Sequence, residues 1–340
     1  MRNTLEQVVA EVSLQLTSED NIEWVERYNG YLDELNKCAK NQIDSRKLFR
    51  PEPFTCYSSI SRATKLKGEF DLRFKGQSVA TITVDKNSIV QFTPKHTTNH
   101  QYFGCDLQGT YEWVSVEATH FRAHFSNLIG EIKTKSPEHA LENLLLNEFA
   151  KTSSKEKSLC NIQPIRLNGC YLQIPTPLSA SKKDSVNYAK QYGGGIDIMA
   201  RVRMRNNDVR LTIFELKDEN TEKEPASVVI KQAVAYGVFI AHLLANNPNW
   251  WMQFGYGKEP IERRRVINIA TLMPPSSKPE LIEFENMRLS VGNGYELELH
   301  TLYFDEATNS FTGSLKDNML ERYNANNHTP RNRPNRRLHH

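Results

Sequence analysis

Three charged residues in the middle of the chain have types and a spacing that suit chemistry on a phosphate group. Asp197 lies near the predicted start of a strand, and Glu215 and Lys217 lie two apart on the next predicted strand. Side chains two apart on a strand share a face, so the glutamate and the lysine are predicted to point together. Carboxylates and water are preferred ligands of Mg²⁺, with substrate phosphate completing its shell. The pattern therefore indicates two metal ligands beside one ammonium group, which can stabilise developing negative charge.

Asp197 reaches the same surface only if the chain folds as a hairpin of suitable register. The arms of that hairpin read as residues 196–205 and 209–217, joined by a polar turn. A one-residue slip moves every side chain to the other face. A three-residue loop sets Asp197 opposite Lys217, whereas a two-residue loop sets it opposite Leu216 on the wrong face. Asn and Asp in the turn tolerate the conformation that three-residue loops commonly need, so the sequence permits the first register.

These residues resemble the PD-(D/E)XK nuclease superfamily, whose pattern is an acid at one strand and Glu-x-Lys or Asp-x-Lys on the next. Asp197, Glu215 and Lys217 match that pattern, and Gln232 takes the place of a polar residue that many members carry on the following helix. Ile196 stands where the name of the family has proline, a position that is widely variable in it. The resemblance covers roughly residues 136 to 274 and implies a metal-dependent nuclease.

The resemblance also implies roles for these residues. Asp197 and Glu215 would bind Mg²⁺, for which Mn²⁺ can substitute, Lys217 would position the attacking water, and Gln232 would assist. Such an ion polarises the phosphate and lowers the pKa of a bound water. A helix-surface glutamine without a role is the alternative reading of Gln232.

In this family, the helix before the core hairpin often adds a glutamate that faces the metal. Ser136 and Pro137 are suited to begin such a helix. Glu138 and Glu142 lie one turn apart and share a face. Glu142 is preferred as a metal ligand and catalytic residue because it lies beside the apolar stripe, whereas Glu138 can simply complement the helix N-terminus. Glu148 is a third candidate.

The predicted fold class is α/β, with a restriction-endonuclease-like αβββαβ core and a mixed sheet, preceded by an α+β N-terminal domain. The N-terminal domain, residues 1–130, reads as helices over 3–45 and then a β-meander over 54–93. Residues 131–318 form the nuclease-like domain, in which 164–174 hold a first core strand, 225–245 a helix and 266–273 a last core strand. Residues 319–340 are a basic tail that is predicted to be disordered.

The role of the N-terminal domain is not indicated by its sequence, and a structural or docking role is preferred over recognition. His120 and His124 have a spacing that could bind zinc on a helix. The apolar residues around them, Val114, Val116, Phe121 and Phe125, favour an ordinary packed segment instead.

Composition sets limits on the class of protein. The formal net charge is only +3, so a nucleic-acid surface must be a local patch. Lys182, Lys183 and Lys190 lie in a polar loop before the hairpin, and Arg263 and Arg264 precede the last core strand; all five are predicted phosphate contacts. An ordinary solvated loop is an equal alternative for the lysines.

The location and partners follow from the remaining features. The N-terminus lacks the apolar core of a signal peptide, no run suits a membrane span, and the five scattered cysteines fit a reducing cytoplasm. The expected partner is DNA, with RNA as the open alternative, and a homodimer is compatible with the sequence. Defence against foreign DNA and DNA repair both suit such an enzyme. The rival interpretation is a non-catalytic nucleic-acid-binding or scaffold protein that retains the fold.

Overall fold

The structure is a computed structural model. It describes residues 2–45, 51–60, 68–84, 89–95, 103–129, 137–150, 162–167, 169–180, 185–190, 193–204, 208–218, 225–257, 265–305, 308 and 310–314. The basic tail predicted over 319–340 lies outside the described residues.

The α-helices in the described ranges follow the apolar periodicity of the sequence. They are α1 Arg2–Thr17, α2 Glu23–Ser45, α3 Val116–Asn127, α4 Pro137–Ala150, α5 Ala226–Asn246, α6 Trp250–Gln253 and α7 Lys278–Leu281, with short 3-10 turns at Pro275–Ser277 and Ile282–Phe284. The helical prediction over 3–45 is confirmed, although the chain turns at residues 18–22 and divides it in two. The apolar periodicity of this region marks two faces, and the residues of both are buried: Leu5, Val8, Val9, Val12 and Leu16 on the first, and Trp24, Tyr28, Tyr31, Leu32 and Leu35 on the second.

The strands are β1 Thr55–Ile60, β2 Gly68–Phe74, β3 Gln77–Val84, β4 Val90–Pro94, β5 Tyr111–Glu112, β6 Ile162–Pro164, β7 Arg166–Leu167, β8 Cys170–Leu172, β9 Pro175–Thr176, β10 Leu178–Ser179, β11 Asn187–Tyr188, β12 Gly194–Gly195, β13 Ile198–Arg203, β14 Val209–Leu216, β15 Val266–Met273, β16 Arg288–Ser290, β17 Glu296–Asp305 and β18 Ser310–Ser314. The pairs β9–β12 and β10–β11 form two small ribbons. The other strands form two sheets.

The second sheet has the strand order β16-β17-β15-β14-β13-β6, with β18 also paired to β17. The strands β14, β15 and β17 are parallel, and β13 is antiparallel to both β14 and β6. Helix α5 connects β14 to the parallel strand β15, as a crossover between parallel strands requires. The chain is therefore of the α/β class with a mixed sheet, as predicted.

The first sheet has the order β5-β4-β3-β2-β1-β8-β7, and the predicted meander forms its antiparallel part. The prediction that residues around Cys170–Ile174 form the first strand of the core sheet is wrong. Strand β8 pairs in parallel with β1 of the first sheet, and the strand beside β13 is Ile162–Pro164. A short apolar strand carries no signal for its partner, so its sequence suits either sheet.

The main apolar core lies around α5 and joins parts of the chain that are distant in sequence. Trp24 and Tyr28 of α2 contact Phe239 of α5 edge-on, with ring centroids 5.7 and 5.0 Å apart. The prediction that no run suits a membrane span is wrong by length and composition, because α5 is the one helix of the described residues that passes this test; 89% of its apolar window is buried in the core. The burial is that of a core helix, which passes the same test of length and composition.

The proposed division at residue 130 is crossed by both packing and strand pairing. Helices α1 and α2 share their core with α5, and β1 pairs with β8. Whether the N-terminal part folds separately stays a prediction for limited proteolysis.

Candidate active site

The hairpin of β13 and β14 places Asp197 beside Glu215. Ile198 pairs with Phe214, so Asp197 lies opposite Glu215, and the Leu216 backbone N–H donates to Asp197 Oδ2 at 2.9 Å. The predicted register, with Asp197 opposite Lys217, is wrong by two residues. The predicted face of Asp197 is right, because a shift of two positions leaves a side chain on the same side of the sheet. Pairing extends to Met204 and Asp208, so the second arm begins one residue earlier than predicted.

The Glu-x-Lys pair lies at the carboxyl end of β14. Glu215 is 1% exposed and Lys217 is 6% exposed. Lys217 Nζ lies 3.5 Å from Glu215 Oε1, and the lysine backbone N–H donates to Leu272 O on β15. Carboxyl ends of parallel strands are the usual place for sites in open α/β sheets.

Helix α4 brings two further carboxyl groups to this end of the sheet. Its apolar side packs against the sheet, with the rings of Phe149 and Phe214 5.8 Å apart. Glu142 is 3% exposed and close enough to Asp197 for their charges to interact. Glu138 is more exposed, and its Oε1 lies 3.2 Å from Lys217 Nζ. Both glutamates therefore lie near Asp197 and Lys217, Glu142 as a buried group and Glu138 as the partner of the lysine. The third candidate, Glu148, lies six residues beyond Glu142 and is partly buried.

We call Glu138, Glu142, Asp197, Glu215 and Lys217 the carboxylate cluster. Burial raises the pKa of Asp197 to about 7, against the lowering effect of Lys217. Burial also raises the pKa of Glu142 to about 8, with Arg73 lowering it and Asp197 raising it. The pKa of Glu215 is raised well above its ordinary value by burial and then by Asp197. The negative charges of the cluster are thus not balanced by its one lysine.

Two buried oxygens of the cluster suit a metal ligand role. Glu142 Oε1 and Glu215 Oε2 have no hydrogen-bond partner among the described residues. As placed, no group of three or more His, Cys, Asp and Glu side chains in the described ranges is arranged closely enough to hold a metal ion. The chemistry of the donors nevertheless fits Mg²⁺ or Mn²⁺, which bind carboxylate oxygen and gain from negative charge. Asp197, Glu215 and Glu142 are the residues that would hold such an ion.

Gln232 lies on α5, buried, and donates from Nε2 to the Tyr236 hydroxyl at 3.3 Å. Tyr236 in turn packs against Gly194, where a Cβ atom would collide with its hydroxyl oxygen. In the described structure the hydrogen bond of Gln232 goes to this tyrosine and not to the carboxylate cluster. Its Oε1 is buried without a partner among the described residues.

Of the predicted phosphate contacts, Lys190 is exposed after β11. Lys182, Lys183, Arg263 and Arg264 lie outside the described residues.

The predicted histidine pair lies on α3. His124 Nε2 is 2.7 Å from Phe103 O, and His120 is exposed. Phe121 and Phe125 are buried as predicted, but Val114 and Val116 are about two-thirds exposed, at 67% and 66%. The latter two were wrongly assigned to the packed side, because periodicity alone does not fix where the helix begins.

Sequence reasoning missed Arg73 and Tyr57 of the first sheet. Arg73 Nη1 lies 4.0 Å from Glu142 Oε1, and its guanidinium carbon lies 4.0 Å from the centre of the Tyr57 ring. Both residues belong to a meander with no catalytic motif, so their position follows only from the pairing of β1 with β8.

No protein-family model, curated protein or solved structure matches this chain. What the site does is therefore argued from its own residues.

Proposed function

We propose that this protein is a Mg²⁺-dependent deoxyribonuclease of the PD-(D/E)XK kind. The observation that carries the proposal is that Asp197 lies opposite Glu215, with Glu142 of α4 near Asp197, and that too little positive charge balances these buried carboxyl groups. Like charges directly opposite each other on paired strands are destabilising. Strongly shifted ionisable groups cluster at functional sites, and here a divalent cation would supply the missing charge.

The order of elements supports the same proposal. Helix α4, strands β6, β13 and β14, helix α5 and strand β15 follow one another as helix, three antiparallel strands, helix and parallel strand, with the short strands β7 to β12 between β6 and β13. This order resembles the αβββαβ core that the family resemblance implies, and that core is part of the proposal. Fold alone does not determine activity, so the cluster carries the proposed function.

Asp197 and Lys217 have distinct roles in the proposed hydrolysis. When bound, the ion would polarise the phosphate and activate water. Asp197 is held in place by the Leu216 N–H, so one of its oxygens is fixed and the other is free to bind. Lys217 carries three donors and no lone pair, so it cannot be a ligand. Held between Glu138 and Glu215, it orients the attacking water and balances charge that develops on the phosphate.

The test is cleavage of a supercoiled plasmid by the full chain with Mg²⁺, Mn²⁺ or a chelator. We expect nicking with either metal and none with the chelator. Glu215→Gln keeps the size of the side chain but weakens a ligand, so it should abolish nicking. The matched control is Glu283→Gln, an exposed glutamate that is not a member of the cluster, which should cut at the parent rate.

Two results would contradict the proposal. A protein that binds DNA but cuts it under none of these conditions would be the non-catalytic binding or scaffold protein instead. A protein that cuts a single-stranded RNA but no DNA of the same sequence would share the chemistry and differ in substrate, which overturns the assignment to DNA.

A further inference from the structure

Arg73 extends from the first sheet towards the carboxylate cluster. It lies on β2, and its side chain is 15% exposed. Its Nη1 is 4.0 Å from Glu142 Oε1, an oxygen that has no hydrogen bond among the described residues. Arg73 is thus the cation of the first sheet that approaches the buried glutamate of α4.

The orientation of the guanidinium is fixed from three other directions. Its Nε donates to Asp71 Oδ2 at 2.9 Å, and its Nη2 donates to Gln173 Oε1 at 2.7 Å. Its flat face covers the ring of Tyr57 at 4.0 Å. The planar fork of arginine suits such multiple contacts, because each hydrogen bond costs little additional rotamer entropy.

The anchors of Arg73 are themselves held. Asp71 also accepts hydrogen bonds from Ser78 and from Lys95 Nζ, the latter at 2.8 Å. The turn after β2 packs on the first turns of α4, where a Cβ atom at Gly76 would collide with the backbone of His139. The first sheet is therefore fitted against the same helix that carries Glu138 and Glu142.

We infer that Arg73 is a positioning residue for Glu142: its guanidinium supplies the counter-charge for this buried carboxylate and fixes the orientation in which it joins Asp197 and Glu215. The inference rests on the proposed function and extends it to the N-terminal part of the chain. It explains why a meander without catalytic residues of its own packs against α4. Residues that orient metal ligands typically change metal affinity 10- to 100-fold when they are removed.

The test is Mn²⁺ binding to the full chain, measured by titration calorimetry without substrate. Arg73→Met removes the charge and the fork while retaining much of the apolar stem, and should weaken Mn²⁺ binding by about 10- to 100-fold. In a Glu142→Gln background, the same substitution should change the affinity less than about twofold, because a residue that acts through Glu142 loses its effect with it.

Arg166→Met is the matched control. Arg166 also stacks on a tyrosine, at 4.5 Å from the centre of the Tyr171 ring, and donates to its hydroxyl at 2.6 Å. Its removal should leave the Mn²⁺ affinity unchanged. Arg73→Lys keeps the charge but not the planar guanidinium, so its affinity for Mn²⁺ should lie between those of the parent and Arg73→Met. An Mn²⁺ affinity equal to that of the parent would contradict the orienting role. This variant also carries the test if Arg73→Met does not fold.

The other results of this test distinguish failure of the inference from failure of the proposed function. Parental Mn²⁺ affinity in Arg73→Met, or an equal loss with and without Glu142, overturns the inference and leaves the proposed function standing. Failure of the parent itself to bind Mn²⁺ overturns both.

Discussion

Glu215 and Glu298 are both buried in the second sheet, at 1% and 2% exposure, but their charges are balanced differently. Glu298 Oε2 accepts hydrogen bonds from Arg288 Nε at 2.7 Å and Arg210 Nη1 at 3.2 Å. Although burial acts to raise the pKa of Glu298, the arginines and His300 lower it below its ordinary value. Glu215 has Lys217 at 3.5 Å and faces Asp197, and its pKa is raised.

The two glutamates also occupy different places in the sheet. Glu298 is level with Asn268 and Thr212, towards the amino ends of the parallel strands, whereas Glu215 lies three residues further along β14. An odd offset along a strand reverses the face. Burial alone therefore does not indicate a functional carboxylate. A buried carboxylate that contacts several cations has a structural role, whereas a buried carboxylate with too few neighbouring cations is a candidate metal ligand.

The largest expected effect is that of Lys217→Ala, which should abolish cleavage while sparing Mn²⁺ and DNA binding. Loss of one preorganised group of this kind costs on the order of a hundredfold or more in rate. The comparison variant is Arg288→Ala, which removes a cation from the Glu298 group and should lower stability with little change in rate. Plasmid nicking over a Mg²⁺ titration measures the cleavage rate of both variants, with DNA binding measured in parallel, and urea denaturation measures the stability of Arg288→Ala. Cleavage by Lys217→Ala at the parent rate at every metal concentration would refute the catalytic role of the Glu-x-Lys pair.

The second prediction concerns the sign of the change in the free energy of unfolding that two matched substitutions cause in metal-free protein. Glu298→Gln leaves two arginines without their anion and should lower the free energy of unfolding by about 1–3 kcal/mol. Glu215→Gln removes repulsion from Asp197 and should leave that free energy unchanged or raise it. Urea denaturation in the presence of a chelator measures both. Equal losses in the two variants would mean that Glu215 is balanced in the same way as Glu298.

The third prediction concerns the pH dependence of the free energy of unfolding without metal. The pKa values of Asp197 and Glu142, about 7 and about 8, lie above their ordinary values, 3.8 and 4.5. Such groups contribute stability that is present below the unfolded-state pKa and is lost as the pH rises through the folded-state pKa. The free energy of unfolding should therefore fall between about pH 4 and pH 8, with a slope on the order of 1 kcal/mol per pH unit for each proton.

This pH dependence again separates the two regions. Glu298 has a lowered pKa, so its contribution has the opposite sign and is lost as the pH falls below the ordinary range of a glutamate. Urea denaturation in a chelator across this range tests the prediction. The control is the Asp197→Asn, Glu142→Gln double variant, in which the fall towards pH 8 should be reduced. A flat profile in the parent would show that these carboxyl groups are already balanced.

Much of the secondary structure could be predicted because it depends on local period. The last core strand was predicted at residues 266–273, where the structure has β15, and the helix predicted at 225–245 is α5, Ala226–Asn246. The shared face of Glu215 and Lys217 followed from the two-residue period of a strand. Among the three glutamates of α4, the sequence placed Glu138 and Glu142 on one face because they are one turn apart, and ranked Glu148 third.

The strand partners and the hairpin register depend on which segments pack together in the folded chain. The offset of the hairpin was wrong by two residues, because the two-residue period fixes the face of Asp197 and not its partner. Cys170–Leu172 pairs with β1 because a three-residue apolar strand can join either sheet.

By itself, the sequence determined the helical run of α1 and α2, the helices α4 and α5, the meander and the strands β13 to β15, and the types of charged residue available for chemistry, because these follow from local spacing and composition. Only the tertiary structure decided that Glu138 meets Lys217, that Arg73 faces Glu142, and that Glu298 is balanced while Glu215 is not. The balance of a buried charge is set by all groups within a few ångströms, and those groups come from strands and helices that are far apart in the chain.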